Sequence, residues 1–256
     1  FRTTKKESFN LKQYKEIFKI IEKDRRKSMN KVEFSEKLVK QLAKIKISIT
    51  EDKIEKFYIY MQLLLEWNEK INLTAIIKPE EIITKHFVDC LTILPEIPLN
   101  SKVIDVGSGA GFPGIPLKII REDIDILLLD SLNKRIQFLN EIIYQLKLKK
   151  IQAVHSRAED AGKLVQYREK FDIATSRAVA NMNTLAEYLL PFVSLGGKAI
   201  FMKGNNVEEE IKNSSLAISI LGGETKEIRT INLPRNRDKK KYYCCNQKKY
   251  YFPKIS

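Results

Sequence analysis

Apolar residues recur every three or four positions through the first hundred residues and, from Lys102 onward, gather into short runs, so the chain changes grammar once. In "NLKQYKEIFKIIEKDRRK", residues 10–27, the side chains of Leu11, Tyr14, Ile17, Phe18 and Ile21 share one helical face behind a cap at Asn10. Glu16, Glu22 and Asp24 among its basic residues argue against an organelle transit peptide. Met29 opens a more ordered pattern, so residues 1–28 read as an extension whose removal leaves activity intact. Helical spacing returns from Ser35 to Lys46 and from Thr50 to Trp67, where Ile54, Phe57, Met61, Leu64 and Leu65 form a stripe. "INLTAI" interrupts it, and "EEIITKHFVDCLTIL" predicts a third helix that starts near Pro79 and ends before Pro95. Residues 29–100 are thus expected to be an all-helical segment.

Beyond it, "KVIDV", "DILLL", "IQAVH", "FDIATS" and "KAIFM" read as buried parallel strands. Helix-like stretches such as "NKRIQFLNEIIYQL" follow them, which predicts an α/β domain over residues 101–256. "GGETKEIRTINLP" and "KKYYCCNQKKYYF" have no long helix between them and predict an antiparallel pair at one edge.

Composition narrows the function. The 256 residues carry 46 Lys and Arg against 32 Asp and Glu, a formal net charge of +14, which favours a polyanionic partner such as nucleic acid. Cys90, Cys244 and Cys245 cannot build a disulfide framework and match no common zinc spacing, so a reducing cytoplasm and no metal are expected. No apolar run is long enough to span a membrane.

The chemistry concentrates in "DVGSGAGFPGIP", residues 105–116. From Gly109 it spells the dinucleotide fingerprint G-x-G-x-x-G; from Asp105 it spells D-x-G-x-G-x-G, a turn suited to S-adenosylmethionine. Both readings use Asp130, at the end of the second strand, to accept bonds from ribose hydroxyls. The methyl donor is favoured because Pro113 and Pro116 constrain the start of the next helix. Asp105 also suits a cationic amino-acid end and would repel a pyrophosphate. On this reading Asp105, Gly107, Ser108, Gly109, Gly111 and Asp130 bind the cofactor.

With these residues in view the chain resembles the bacterial small-subunit ribosomal RNA methyltransferase G family, also called glucose-inhibited division protein B. The resemblance runs from about Phe57 to Lys203 through "LLLEWNEKINLTAI", "KHFVDCLTI", "IDVGSGAGFPGIPL", "DSLNKRIQFL", "SRAED", "FDIATSRAVANMNTL" and "GGKAIFMKG". It implies a class I, Rossmann-like sheet dependent on S-adenosylmethionine, and methylation of N7 of one guanine in the decoding-region loop of 16S ribosomal RNA, free or in the small subunit. Carried onto matching positions, it implies cofactor contacts at Gly107, Phe112, Asp130, Ser131, Leu132, Ala158, Glu159 and Arg177. It also implies RNA contacts at Lys134, Arg157 and Lys203.

The residues agree with N7 chemistry. A pyrimidine C5 transfer needs a cysteine nucleophile, and Cys90 and the Cys244-Cys245 pair read as structural. An exocyclic amine transfer would show an Asx-Pro-Pro-aromatic clamp where this chain has "SRAV". Guanine N7 carries no proton, so its methylation needs alignment and no general base. Arg177 is expected at the cleft as a catalytic positioning residue, by stacking or by holding a phosphate or guanine O6, with an ion pair to an acid such as Glu159 as the structural alternative. His86 and Asp89, three apart, are expected either to face the cleft together or to cap the helical segment against the sheet. The basic, aromatic tail from Pro234 suits either RNA stacking or core filling. The competing function is an RNA-binding ribosome assembly factor with a vestigial cofactor site.

Overall fold

The computed structural model describes residues 29–177, 180–204, 208–232 and 239–248, so the expectation for residues 1–28, and that for the basic and aromatic side chains of the tail from Pro234, including Tyr242 and Tyr243, lie outside it. Helix α1, Lys31–Lys44, begins where the Asn30 side chain accepts the Glu33 N–H at 2.9 Å, and it buries Phe34, Leu38 and Leu42. Helix α2, Glu51–Ile71, places Glu51 and Asp52 in its first turn and stops at Asn72, whose φ of 49° is left-handed. The third helix is composite: an α turn at Pro79–Glu81, a π-helical stretch at Ile82–Val88 and a closing α turn at Asp89–Leu91, together called α3. A plain helix was expected there. A π turn sets side chains by i→i+5 bonds that hydrophobic spacing does not encode.

The sheet comprises β1 Lys102–Val106, β2 Asp125–Asp130, β3 Ile151–His155, β4 Phe171–Ser176, β5 Val193–Lys203, β6 Gly223–Asn232 and β7 Lys239–Gln247. Its order is β3-β2-β1-β4-β5-β7-β6. The first five strands are parallel, and β7 runs antiparallel between β5 and β6. This is the doubly wound, Rossmann-like class I arrangement expected, including the antiparallel edge pair. Helices α4 Gly114–Ile120, α5 Asn133–Gln145, α6 Ala158–Ala161, α7 Met182–Leu189 and α8 Glu208–Ile220 connect the strands. Only the four-residue α6 stands between β3 and β4, shorter than the repeated βαβ grammar suggests.

Alternate strand residues serve opposite faces, as the pleat requires. Ile126 and Leu128 join a core with Phe57, Tyr60, Leu64, Phe87, Ile115 and Phe138, so the N-terminal helices share one apolar cluster with α4 and α5. Leu127 and Leu129 join the opposite core with Leu185, Leu189 and Phe201. The strand order reverses between β1 and β4, and such a switch point opens a crevice at the carboxyl ends of the strands.

Candidate functional site

The glycine turn follows β1 directly. Gly107, Gly109 and Gly111 have φ of 71°, 61° and 94°, a region that side chains with a Cβ rarely enter. The N–H groups of Gly107 and Ser108 donate to the Leu129 carbonyl at 2.8 and 3.1 Å, tying the turn to the end of β2. From the other side, the fully buried Tyr60 on α2 donates its hydroxyl to the Ala110 carbonyl. At Gly114 an added Cβ would collide with Leu128 and lie 3.0 Å from Asp105 Oδ2, so only glycine lets α4 start this close to the sheet.

Asp130 closes β2 and organises the cleft. Its Oδ2 accepts the Gly109 N–H at 2.8 Å and its Oδ1 accepts the Leu132 N–H at 2.9 Å, with Arg135 at 3.4 Å from Oδ2. A carboxylate offers about four acceptor positions, so at least one remains for a ligand hydroxyl. Beside it lies a cavity of about 380 Å³ lined by Gly107, Asp130, Ser131, Arg135, Arg157, Ala158, Glu159, Ser176 and Tyr188, among others. Burial first, and then the charge of Glu159 and a bond with it, raise the Tyr188 hydroxyl above its usual range.

Asp105 lies at the base of the turn, where the sequence put its charge. It has no exposed surface and lies under the turn, where its Oδ2 accepts the Ser108 hydroxyl at 2.8 Å and the Gly114 N–H at 2.9 Å. Its Oδ1 is buried with no hydrogen-bond partner. Burial pushes the carboxyl up to about 6, against the opposing pull of those two bonds and of Arg177. Asp105 therefore shapes the turn from below, and its influence on a cation in the cleft is electrostatic.

Arg177, immediately after β4, meets α3 and does not pair with Glu159. Its guanidinium stands 4.5 Å over the Phe112 ring, reaches the Lys85 carbonyl at 3.1 Å and His86 Nδ1 at 3.0 Å, and lies 3.5 Å from Asp89 Oδ2. His86 also stacks on Phe112, with ring centres 4.4 Å apart, and its Nε2 meets the Thr74 hydroxyl at 2.9 Å. His86 Nδ1 thus lies between the guanidinium, which can only donate, and the Lys85 carbonyl at 3.2 Å, which can only accept. The π stretch brings Lys85 O, His86 and Asp89 to one guanidinium. Neither residue lines the cavity; the pair joins the helical segment to the residue that follows β4, the capping role of the two expected.

The remaining candidates divide. Gly107, Asp130, Ser131, Arg157, Ala158 and Glu159 line the cavity together. Ser108, Gly109 and Gly111 build the turn, Phe112 is wedged beneath Arg177, and Leu132 and Lys134 stand exposed where α5 begins. Lys203 is turned inward: its ammonium donates to the Ala180 carbonyl at 2.8 Å and pairs with Glu210 at 2.8 Å, with the side chain 10% exposed. This corrects its expected place on an RNA-facing surface, because the two partners on neighbouring segments satisfy the charge internally. Cys90, Cys244 and Cys245 are all buried and outside any disulfide among the described residues, and burial pushes the Cys90 thiol well up. Tyr60, Arg135 and Tyr188 were not singled out from sequence. Tyr60 belongs to an ordinary apolar helix stripe, and nothing local marks its hydroxyl as the anchor of a turn fifty residues away. No cluster of metal-ligating side chains occurs among the described residues.

Comparison with known proteins follows the same residues. A family model described as GidB, rRNA small subunit methyltransferase G, matches residues 53–238. The ribosomal RNA small subunit methyltransferase G of Clostridium perfringens (strain SM101 / Type A) is 52% identical over 189 residues, 73% of this chain and 79% of that protein. The protein of the same name from Clostridium beijerinckii is 50% identical over 204 residues, 79% of this chain and 85% of that protein. Among solved structures, a SAM dependent methyltransferase from Aquifex aeolicus aligns with a TM-score of 0.46 at 17% identity, over 62% of this chain and 89% of that one. By the span of the family match and the identity to these relatives, the chain belongs to the rRNA small subunit methyltransferase G (GidB) family.

Proposed function

We propose that this chain is a cytoplasmic enzyme that moves the methyl group of S-adenosylmethionine to N7 of a guanine in the decoding-region loop of 16S ribosomal RNA. The observation that carries the reading is the bond from the Gly109 N–H to Asp130 at the edge of the 380 Å³ cavity, which joins glycine turn and ribose-binding acid in one preformed cradle. The residues fit the cofactor: Asp130 keeps an acceptor position for a ribose hydroxyl, Gly107 admits close approach, and the acid of Glu159 lines the same cavity. The orphaned Oδ1 of Asp105 adds negative potential beneath the turn, which suits a cationic ligand above it. The bound cofactor supplies an electrophilic methyl on a sulfonium.

The chain's own part is alignment. Guanine N7 needs no base, and both histidines of the chain are engaged: His86 with Thr74 and Arg177, His155 with the Ser131 carbonyl. No thiol is placed to attack, since Cys90 is fully buried and held protonated. Arg177, fixed by α3 and stacked on Phe112, orients the incoming purine by its plane or by guanine O6, leaving the N7 lone pair free. The exposed Lys134 and Arg157 near the cleft hold RNA phosphates, and their contribution is salt-dependent.

The test is transfer of labelled methyl groups from S-adenosylmethionine to unmodified 16S RNA or small subunits, with mapping of the modified atom. Methyl at guanine N7 in the decoding-region loop supports the reading. Label at another atom overturns the site assignment, and tight RNA binding without transfer returns the chain to an assembly role.

A further inference from the structure

We propose that a second pocket, at the pole of the sheet opposite the cleft, binds a backbone phosphodiester of the RNA substrate through Lys118, Lys147, Lys149 and Lys150; this rests on the RNA reading above. The pocket has a volume of about 310 Å³ and is lined by five lysines, Lys56 being the fifth, against one acid, Glu122. It lies between the end of α4 and the loops that enter β2 and β3 at their amino ends. A six-residue strand rises about 3.3 Å per residue, so roughly 20 Å separates this pocket from the carboxyl ends that form the cleft.

Lys118 is the unusual member. It is 2% exposed, and its ammonium donates to the carbonyls of Glu122 at 2.9 Å and Ile124 at 2.5 Å, with no carboxylate ion pair among the described residues. Two of its three N–H donors are thereby used, and a buried ammonium without a counter-ion is a standing electrostatic cost. Burial draws its pKa down, and Lys150 adds to that, while Asp125, Asp123 and Glu122 oppose it. The acids nearby are largely committed: Asp52 pairs with Lys56 at 2.7 Å and Asp123 with Arg121 at 2.6 Å. Lys147, Lys149 and Lys150 are exposed and form no ion pair among the described residues. Lys147 and Lys150 have φ of 50° and 52°, where glycine or asparagine is the usual occupant. Lysine in both strained positions presents charge to one rim. An oxyanion would satisfy Lys118 and the three rim cations together. A chain with net charge +14 acting on a large folded RNA meets such anions at both poles.

The test uses the full chain and the triple variant Lys147→Asn, Lys149→Gln, Lys150→Asn, in which asparagine tolerates the left-handed backbone. Filter binding to unmodified 16S RNA across 50–200 mM salt is expected to show a slope shallower by about 1–2. The KM for RNA should rise about tenfold, with kcat within about twofold of wild type and S-adenosylmethionine affinity unchanged. Lys149→Glu alone gives the same direction should the triple variant misfold. Wild-type slope and KM in folded variants overturn the proposal. Stabilisation by inorganic phosphate that the triple variant loses, with RNA affinity unchanged, assigns the pocket to a free anion and also overturns it. If the wild-type chain itself binds RNA without salt dependence, the reading of the substrate fails first, and that result is distinct from the other two.

Discussion

The Arg177 guanidinium lies 4.5 Å over the ring of Phe112, so a residue of the glycine turn and the first residue after β4 form one stacked unit. Planar stacking combined with a fork of donors is an arginine property that lysine does not reproduce. We expect Arg177→Lys to stay folded and to lose about 100-fold in kcat/KM, the order of effect that misplacement of a reactant produces. Arg177→Ala should lose as much and also destabilise the fold by about 3–5 kcal/mol, because it leaves the 4% exposed Asp89 without its guanidinium. Wild-type turnover in either folded variant removes Arg177 from the site.

Asp130 holds two N–H groups of the cleft, from Gly109 and Leu132. Asn in its place keeps one acceptor and turns the other toward an N–H. Hydrogen bonds to a charged group contribute about 1.5–3 kcal/mol each. We expect Asp130→Asn to weaken S-adenosylmethionine binding at least tenfold by calorimetry, with a lower Tm. Unchanged affinity would show that the ribose is held elsewhere.

Asp105 carries a pH signature. Its carboxyl is raised from 3.8 to about 6 in the folded chain, so the folded state binds its proton more tightly than the unfolded state. Its contribution to stability is therefore full below pH 3.8 and is lost as the pH rises through about 6. A shift of this size corresponds to about 3 kcal/mol. The unfolding free energy of wild type should fall relative to Asp105→Asn between pH 4 and 6 and then level. A constant difference across that range would contradict the burial argument.

Gly114 admits α4 to the sheet, whereas an added Cβ at Gly204 meets nothing within 4 Å. We expect Gly114→Ala to cost about 1–3 kcal/mol, the usual range for overpacking, and Gly204→Ala much less. Equal melting temperatures for the two variants would refute the close-approach account.

Tyr60→Phe keeps the ring against Phe87 and Phe112 and removes the bond to the Ala110 carbonyl. About 1 kcal/mol of stability should go with it, together with a severalfold loss of cofactor affinity as the turn loosens. Calorimetric binding unchanged from wild type would separate the turn from this anchor.

Local pattern carried much of the architecture. "KVIDV" and "FDIATS" coincide with β1 and β4, because a strand buried in a parallel sheet needs a nearly continuous apolar run wherever it sits in the chain; "IQAVH" coincides with β3, which is an edge strand and only partly buried, not the buried strand expected. The glycines at 107, 109 and 111 were legible for a similar reason: a turn that needs positive φ writes that need into residue type. The last turns of a helix or strand are less well specified, and β5 begins at Val193, before the apolar run "KAIFM".

Partners between distant segments were not legible. The sequence placed Arg177 near the cleft and offered only Glu159 as an ion-pair partner; its contacts with His86 and Asp89 were not legible, because they depend on how the π-helical stretch of α3 is set against β4. Lys203 read as a surface cation, whereas Ala180 and Glu210 hold it; Asp105 read as a charge at the base of the turn, but its bonds to Ser108 and Gly114 and its full burial there were not legible. Residue type and spacing by themselves determined the strands, the helical segment, the glycine turn and the class of chemistry, because each depends on interactions within a few residues. Only the tertiary structure decided which charges face the cleft and which are neutralised inside, because charge pairing and burial depend on segments that the fold, and not the chain order, brings together.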